Sequence, residues 1–256
     1  MDSYKYLFRP VPSPRFGRSL GINLAPHKTC TLDCKFCQLG RTTRKTLRRR
    51  AYVPAEDVLL ELERWMRSDG KADSIIVSGS GEPTLHSQLG EVLKFVRTVC
   101  SIPAVLLTNG TMFWISEVRG AASYANVVKI CLSAWDEPSF RWLHRPHVDL
   151  KFERILEGQK AFRKRFKGQI WMEIFLVPDM NATPAESRKI AALAGEIRPD
   201  RIHLNMAREQ VSQDRSMRLS EKELASLAHC FKPGAEVIRD CPNIVLKPVT
   251  DSFGPA

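Results

Sequence analysis

Six times in succession, an apolar, β-branched run gives way to a stretch of helical spacing. The runs lie at 21–24, 74–77, 104–107, 127–132, 170–177 and 202–205. Between the first two, residues 54–68 read as a helix. Pro54 suits its first turn, and Val58, Leu59, Leu62, Trp65 and Met66 recur on one face. Further helices are expected at 89–99, 115–122 and 150–166. Thr183-Pro184-Ala185-Glu186 and Ser220-Glu221-Lys222-Glu223 are capping boxes that open two more. Parallel strands need long crossovers, usually helical, so this rhythm predicts a parallel sheet covered by helices. The sheet is either open and doubly wound or curled into a full or partial barrel. Both place chemistry at the carboxyl ends of the strands. No repeat or low-complexity linker divides the chain, so one domain is expected over 1–256, with a core at about 18–232, an arm at 1–17 and a tail at 233–256. Residues 244–246 are a candidate for one more short strand.

The unusual residues gather at those strand ends. CTLDCKFC (30–37) follows the first strand, GSGEPTLH (79–86) the second, TNG (108–110) the third and SAWDEP (133–138) the fourth, while Asn205 ends the sixth. With 43% hydrophobic and 26% charged residues in 256, the chain can bury a full core. No run of about 18 apolar residues is present, and residues 1–19 lack the apolar stretch of a secretory signal, so a cytoplasmic location is expected. Seven cysteines in such a chain suggest metal or redox chemistry rather than disulfides. The net charge of +11 suggests a polyanionic partner, the more so because it is clustered: six basic residues in 41–50 and four in 163–167.

Cys30, Cys34 and Cys37 admit two metal readings. A structural zinc site needs four ligands, and His27 would complete it with three thiolates, giving a non-enzymatic binding module. An iron–sulfur cluster of four irons would instead keep one iron open to a small molecule.

The Cys30-x3-Cys34-x2-Cys37 spacing, the aromatic Phe36, and Gly79-Ser80-Gly81-Glu82-Pro83 one β/α unit later resemble the radical S-adenosylmethionine (SAM) superfamily. That resemblance implies a partial (β/α)6 TIM-like barrel. It implies a [4Fe-4S] cluster on Cys30, Cys34 and Cys37 whose fourth iron binds SAM. It also implies an electron donor such as flavodoxin or ferredoxin. One-electron cleavage of SAM would yield a 5′-deoxyadenosyl radical that takes a hydrogen atom from substrate. By position, Phe36 would lie against the adenine. Gly81 and Glu82 would line the methionine end, in a cofactor-binding loop that also includes Gly79 and Ser80. Thr108, Asn109, Ser133, Glu173 and Leu176 would line the cofactor pocket.

FRPVPSPRFGRSLGINLAPHKTC, SGSGEPTLH, TNGT, RWLHRPH and RPDRIHLN resemble, more narrowly, the stand-alone enzymes grouped with wyosine-base tRNA synthases. This implies a tRNA base as substrate. Those synthases are longer and use a second cluster or a substrate-bound lysine. Here the remaining cysteines are Cys100 and Cys131, which read as buried thiols, and the tail pair Cys230 and Cys241. The strand-four segment CLSAWDEP carries Cys131 and Ser133 where those enzymes tend to have serine and aspartate. Arg141, His144, Arg145 and His147 read as a basic knot in a loop, either a phosphate or carboxylate contact or a solvated turn. His203 and Asn205 project to one face of their strand, with Asn205 the better pocket candidate. A radical enzyme acting on a protein or small metabolite, such as a glycyl-radical activase or peptide modifier, is the alternative.

Overall fold

The computed structural model describes residues 4–13, 15–68, 70–206, 219–232 and 234–238. Its main sheet runs in the order β1 (Leu7–Ser13), β2 (Gly17–Asn23), β5 (Ser74–Ser78), β6 (Ala104–Leu107), β7 (Val127–Cys131), β8 (Gln169–Leu176), β9 (Arg201–Met206) and β10 (Glu236–Ile238). Only β1–β2 is antiparallel; β2 through β10 pair in parallel. Two-residue strands β3 (Thr29–Cys30) and β4 (Arg44–Lys45) pair separately. The helices are α1 (Ala55–Arg67), α2 (Leu89–Val99), α3 (Ser116–Ala122), α4 (Glu137–His144), α5 (Phe152–Arg165), α6 (Pro184–Ile197) and α7 (Glu221–Ala228). None is long and apolar enough to cross a membrane.

The sheet is curled. Three strands separate β2 from β8 in the sheet, which would hold them roughly 19 Å apart if it were flat. Yet the turn before β2 meets β8 directly. Phe16 stacks on Trp171 with ring centroids 4.7 Å apart, and Arg15 Nη1 lies 2.8 Å from Glu173 Oε1. The six expected parallel strands therefore form the α/β partial barrel, and the β1–β2 turn reaches across its amino-terminal end. Strand alternation sorts the faces. Ile22, Val77, Leu106, Ile130, Ile174 and Leu204 join Val58, Leu62, Val92, Ile155 and Ile190 in one aliphatic core. Each such side chain stabilises the fold by about 1.5–3 kcal/mol. The concave face carries Lys129, Cys131, Trp171, Glu173, Phe175, His203 and Asn205.

Three elements differ from the sequence expectation. The arm at 1–17 contains β1, an edge strand whose Pro10 and Pro12 suit an edge better than a sheet centre. The stretch with Arg141 and His144 is helix α4 rather than loop, opened by a capping box in which Asp136 accepts from the Ser139 backbone. β10 supplies a last parallel strand. The short strand expected at 244–246 lies outside the described residues.

Candidate functional site

The cysteine loop leaves the carboxyl end of β2 and doubles back over the barrel mouth. Lys28 takes a left-handed conformation (φ 58°), which turns the chain into β3. Its N–H donates to the Ser80 carbonyl at 2.6 Å, and Glu82 N–H donates to the Thr29 carbonyl at 2.9 Å. Two strand-end loops are thereby zipped together backbone to backbone. Glycine is required at the seam: a Cβ on Gly81 would collide with the Thr29 carbonyl, and one on Gly79 (φ 140°) with the Asn23 side chain. Buried Ser80 accepts from Asn23 Nδ2 at 3.1 Å.

Glu82 is buried, and both its carboxylate oxygens are occupied. Oε1 accepts from Thr84 N (3.0 Å), Thr84 Oγ1 (2.6 Å) and Thr108 Oγ1 (2.5 Å), and Oε2 accepts from Asn109 N (2.9 Å). Burial pushes this carboxyl above its ordinary range, and the four donors pull against that shift. Glu82 therefore ties the loop after β5 to the loop after β6. Its carboxylate is engaged within the protein, and the Ser80 carbonyl and Glu82 N–H are taken by the seam with Lys28 and Thr29.

Each of the three cysteine sulfurs faces one side-chain nitrogen from a different element. Asn109 Nδ2 lies 3.6 Å from Cys30 Sγ, His144 Nδ1 3.1 Å from Cys34 Sγ, and Lys28 Nζ 3.1 Å from Cys37 Sγ. Burial pushes the Cys30 thiol up to about 12 and Cys34 well above the ordinary thiol value. Such thiols stay protonated unless a cation or metal takes the proton's place. Three thiols with polar N–H neighbours fit a cluster that needs three thiolates and tolerates hydrogen bonds to sulfur. His27, the fourth ligand of the zinc reading, is exposed. Among the described residues no three His, Cys, Asp or Glu groups converge on a single-ion position.

Helix α4 is the rear wall of this loop. Asp33 N and Lys35 N donate to the carbonyls of His144 and Leu143, both at 2.9 Å. Arg145 caps the helix in a left-handed conformation (φ 41°), and its Nε donates to the Asp33 carbonyl at 2.8 Å. Arg141 pairs with Glu137 at 2.7 Å and donates to the Leu150 carbonyl at 3.1 Å. His147 N donates to the Thr31 carbonyl at 2.9 Å, and its ring lies 3.5 Å from Asp149. Arg145 and His147 of the expected basic knot thus brace the cysteine loop, while Arg141 ties the stretch 148–150 back to α4. Burial lowers His144 to about 4, leaving a neutral imidazole beside Cys34.

Beneath the loop, Phe36 stacks on Phe175 with centroids 4.7 Å apart and meets the His144 ring edge-on. One strand layer deeper lies an ionic cluster. Glu173 pairs with Arg15 at 2.8 Å and Lys129 at 2.5 Å, and accepts from Asn205 Nδ2. Burial would raise its carboxyl, but Lys129 and Arg15 outweigh that and hold it below the ordinary range. Asn205 Oδ1 and both nitrogens of buried His203 have no hydrogen-bond partner. Burial lowers His203 to about 4. Arg15 and Lys129 were missed in the sequence; a lysine inside an apolar strand was the available signal. One pocket expectation is corrected. Leu176 is fully buried and alternates with Phe175, so it faces the aliphatic core. Ser133 Oγ accepts from Phe175 N at 2.9 Å and joins β7 to β8. A small cavity between the β7 end and α5 is lined by Asn109, Cys131, Ser133, His144 and Gln159. Cys100 Sγ donates to the Val96 carbonyl; Cys241 lies outside the described residues.

Comparison with known proteins agrees with this geometry. The model of the radical SAM superfamily matches residues 24–189. The chain is 31% identical over 240 residues to the GTPase Obg of Brachyspira hyodysenteriae, covering 94% of this chain and 35% of that protein. It is 36% identical over 200 residues to a UPF0026 protein of Methanocaldococcus jannaschii, covering 77% of this chain and 62% of the relative. It therefore spans less than two thirds of either. A probable dual-specificity RNA methyltransferase RlmN of Leptospira biflexa is 23% identical over 93% of this chain and 70% of its own length. Among solved structures, TYW1 with a lysine–pyruvate adduct bound superposes with a TM-score of 0.65 at 18% identity, covering 85% of this chain and 74% of that one.

Proposed function

The chain belongs to the radical SAM superfamily, whose members are enzymes that use a [4Fe-4S] cluster, SAM and a reductant, and on that premise we propose that its substrate is a tRNA base modified in the wyosine manner. When bound, the cluster and SAM supply a 5′-deoxyadenosyl radical that abstracts hydrogen. In this reading residues 18–232 form the radical SAM core. Cys30, Cys34 and Cys37 hold the cluster, with Lys28, His144 and Asn109 donating to its sulfurs. The backbone of 79–82, seated by Glu82, receives the amino-acid end of SAM. Phe36 and Phe175 form an apolar wall beside it that excludes water. Glu173, Lys129 and Asn205 border the substrate space below.

The observation that carries the RNA reading is the charge of the mouth. Residues 38–55 contain six basic residues and no acidic one, and they follow directly on the cysteine loop. A polyanion is attracted there by charge alone. The likeness to an RNA methyltransferase and the shared fold with TYW1 support the same reading.

The test is anaerobic incubation of the iron-loaded, reduced protein with SAM and unmodified tRNA. The expected result is tRNA-stimulated release of 5′-deoxyadenosine together with a mass change in one nucleoside of the digested tRNA. Release that ignores tRNA, with no altered nucleoside, would overturn the substrate class and favour a protein or small-metabolite substrate. Loss of all cleavage in Cys30→Ala, Cys34→Ala and Cys37→Ala is the control on the cluster assignment.

A further inference from the structure

Helix α4 presents an exposed tryptophan beside the cysteine loop. Trp142 is 48% exposed although it lies two residues before buried His144. The ammonium of Lys35, from the cysteine loop, sits 4.1 Å from its ring centroid. The surroundings are cationic. Arg41, Lys45 and Arg48 are exposed, and Lys45 Nζ donates to the Arg145 carbonyl at 3.0 Å, tying β4 to the end of α4. Asp33 is buried and shared between Arg41 (3.1 Å) and Arg145 (3.4 Å), Glu137 pairs with Arg141 (2.7 Å), and Asp149 lies beside His147. A half-open indole under the Lys35 ammonium, on a helix whose end is tied to Lys45, does not suit an apolar protein partner. It suits a ligand that brings both π-faces and negative charge, as a single-stranded or looped RNA does.

Resting on the tRNA reading above, we propose that Trp142 is the stacking platform for an unpaired base that flanks the modified one, with Lys35 and Lys45 contacting the adjoining phosphates. A base that enters the recessed mouth must leave its stack, and its neighbour loses a stacking partner in the process. Trp142 replaces that partner. Trp142 and His144 lie about half a helical turn apart, so they take opposite faces of α4: His144 faces Cys34 and Trp142 faces outward, held beside the cysteine loop by Lys35.

The test measures binding of unmodified tRNA to the iron-loaded protein across a salt series. Trp142→Ala is expected to weaken binding roughly tenfold with an unchanged salt slope, whereas Lys45→Met is expected to lower the slope by about 1. Trp142→Phe, which keeps a ring, should bind within about twofold of the parent. Should the alanine variant lose iron, the phenylalanine variant decides: binding close to the parent supports the platform, and a roughly tenfold loss overturns it. Unchanged affinity in Trp142→Ala overturns the platform while leaving the tRNA substrate standing. Absence of salt-sensitive tRNA binding in the parent overturns the substrate reading and the platform together. A dimer that dissociates in Trp142→Ala, with RNA affinity unaltered, identifies the face as a self-contact and overturns the proposal.

Discussion

Replacing Glu82 by glutamine should loosen the barrel mouth before any cofactor is involved. The carboxylate accepts from four donors, two of them the backbone N–H groups of Thr84 and Asn109. A glutamine offers one oxygen and one NH2. If its NH2 faces Asn109, that backbone N–H meets a donor and is orphaned. If it is flipped, the two threonine hydroxyls can rotate to accept, but the Thr84 N–H cannot. Either way one buried backbone donor loses its partner, at a cost of about 1–3 kcal/mol, and the other bonds lose their charge assistance. Removing the buried charge recovers part of this, because burial already disfavours the ionised form. The expected net loss is about 2–3 kcal/mol. It is read as a lower urea midpoint, followed by tryptophan fluorescence on the chain stripped of iron, with the unfolding slope unchanged. A glutamine variant within about 0.5 kcal/mol of the parent would refute the reasoning, since the loops after β5 and β6 would then be held by something other than this carboxylate.

Gly81→Ala must push the Thr29 carbonyl away from the seam; about 1–3 kcal/mol of destabilisation and reduced iron uptake on reconstitution are expected, and full iron content with unchanged stability would contradict it. Lys28→Met removes an ammonium 3.1 Å from Cys37 Sγ. Loaded protein should keep its iron, while the cluster's midpoint potential falls by about 65–130 mV, equivalent to one charged hydrogen bond; an unmoved potential in a redox titration would remove Lys28 from the site. His144 and His203 are each lowered to about 4 by burial, against about 6.5 when unfolded. The unfolded chain therefore binds more protons between these values. Stability should be level above pH 7 and fall by up to about 1.4 kcal/mol per pH unit per histidine between about 6.5 and 4. Denaturation midpoints that stay flat from pH 7.5 to 5 would show that neither imidazole is held neutral.

The parallel sheet was legible because each strand is a short, nearly continuous apolar run between helices with clear start signals. α2 at Leu89–Val99 and β6 at Ala104–Leu107 match their expected bounds to the residue. β1 was hidden because its prolines read as an arm, and only an edge position tolerates them. α4 was hidden because its capping residue, Asp136, follows a strand end so closely that the segment read as loop, although aspartate three residues before Ser139 is a start signal. The cysteine spacing and the glycine loop are local patterns and could be read as strings. Their support is not local. Arg15 reaches Glu173 across 158 residues, His144 reaches Cys34 across 110, and Asn109 reaches Cys30 across 79. No spacing rule encodes such pairs, because each depends on how strongly the sheet curls. Strand parity does encode one correction. Leu176 and Glu173 are three residues apart, an odd interval, so a regular strand sends them to opposite faces and both cannot line one pocket. The even interval to Glu173 belongs to Trp171 and Phe175, and Phe175 is the residue found stacked on Phe36. The concave face of β8 therefore follows from the strand assignment, whereas its partners Arg15, Lys129 and Asn205 follow only from closure of the barrel around it.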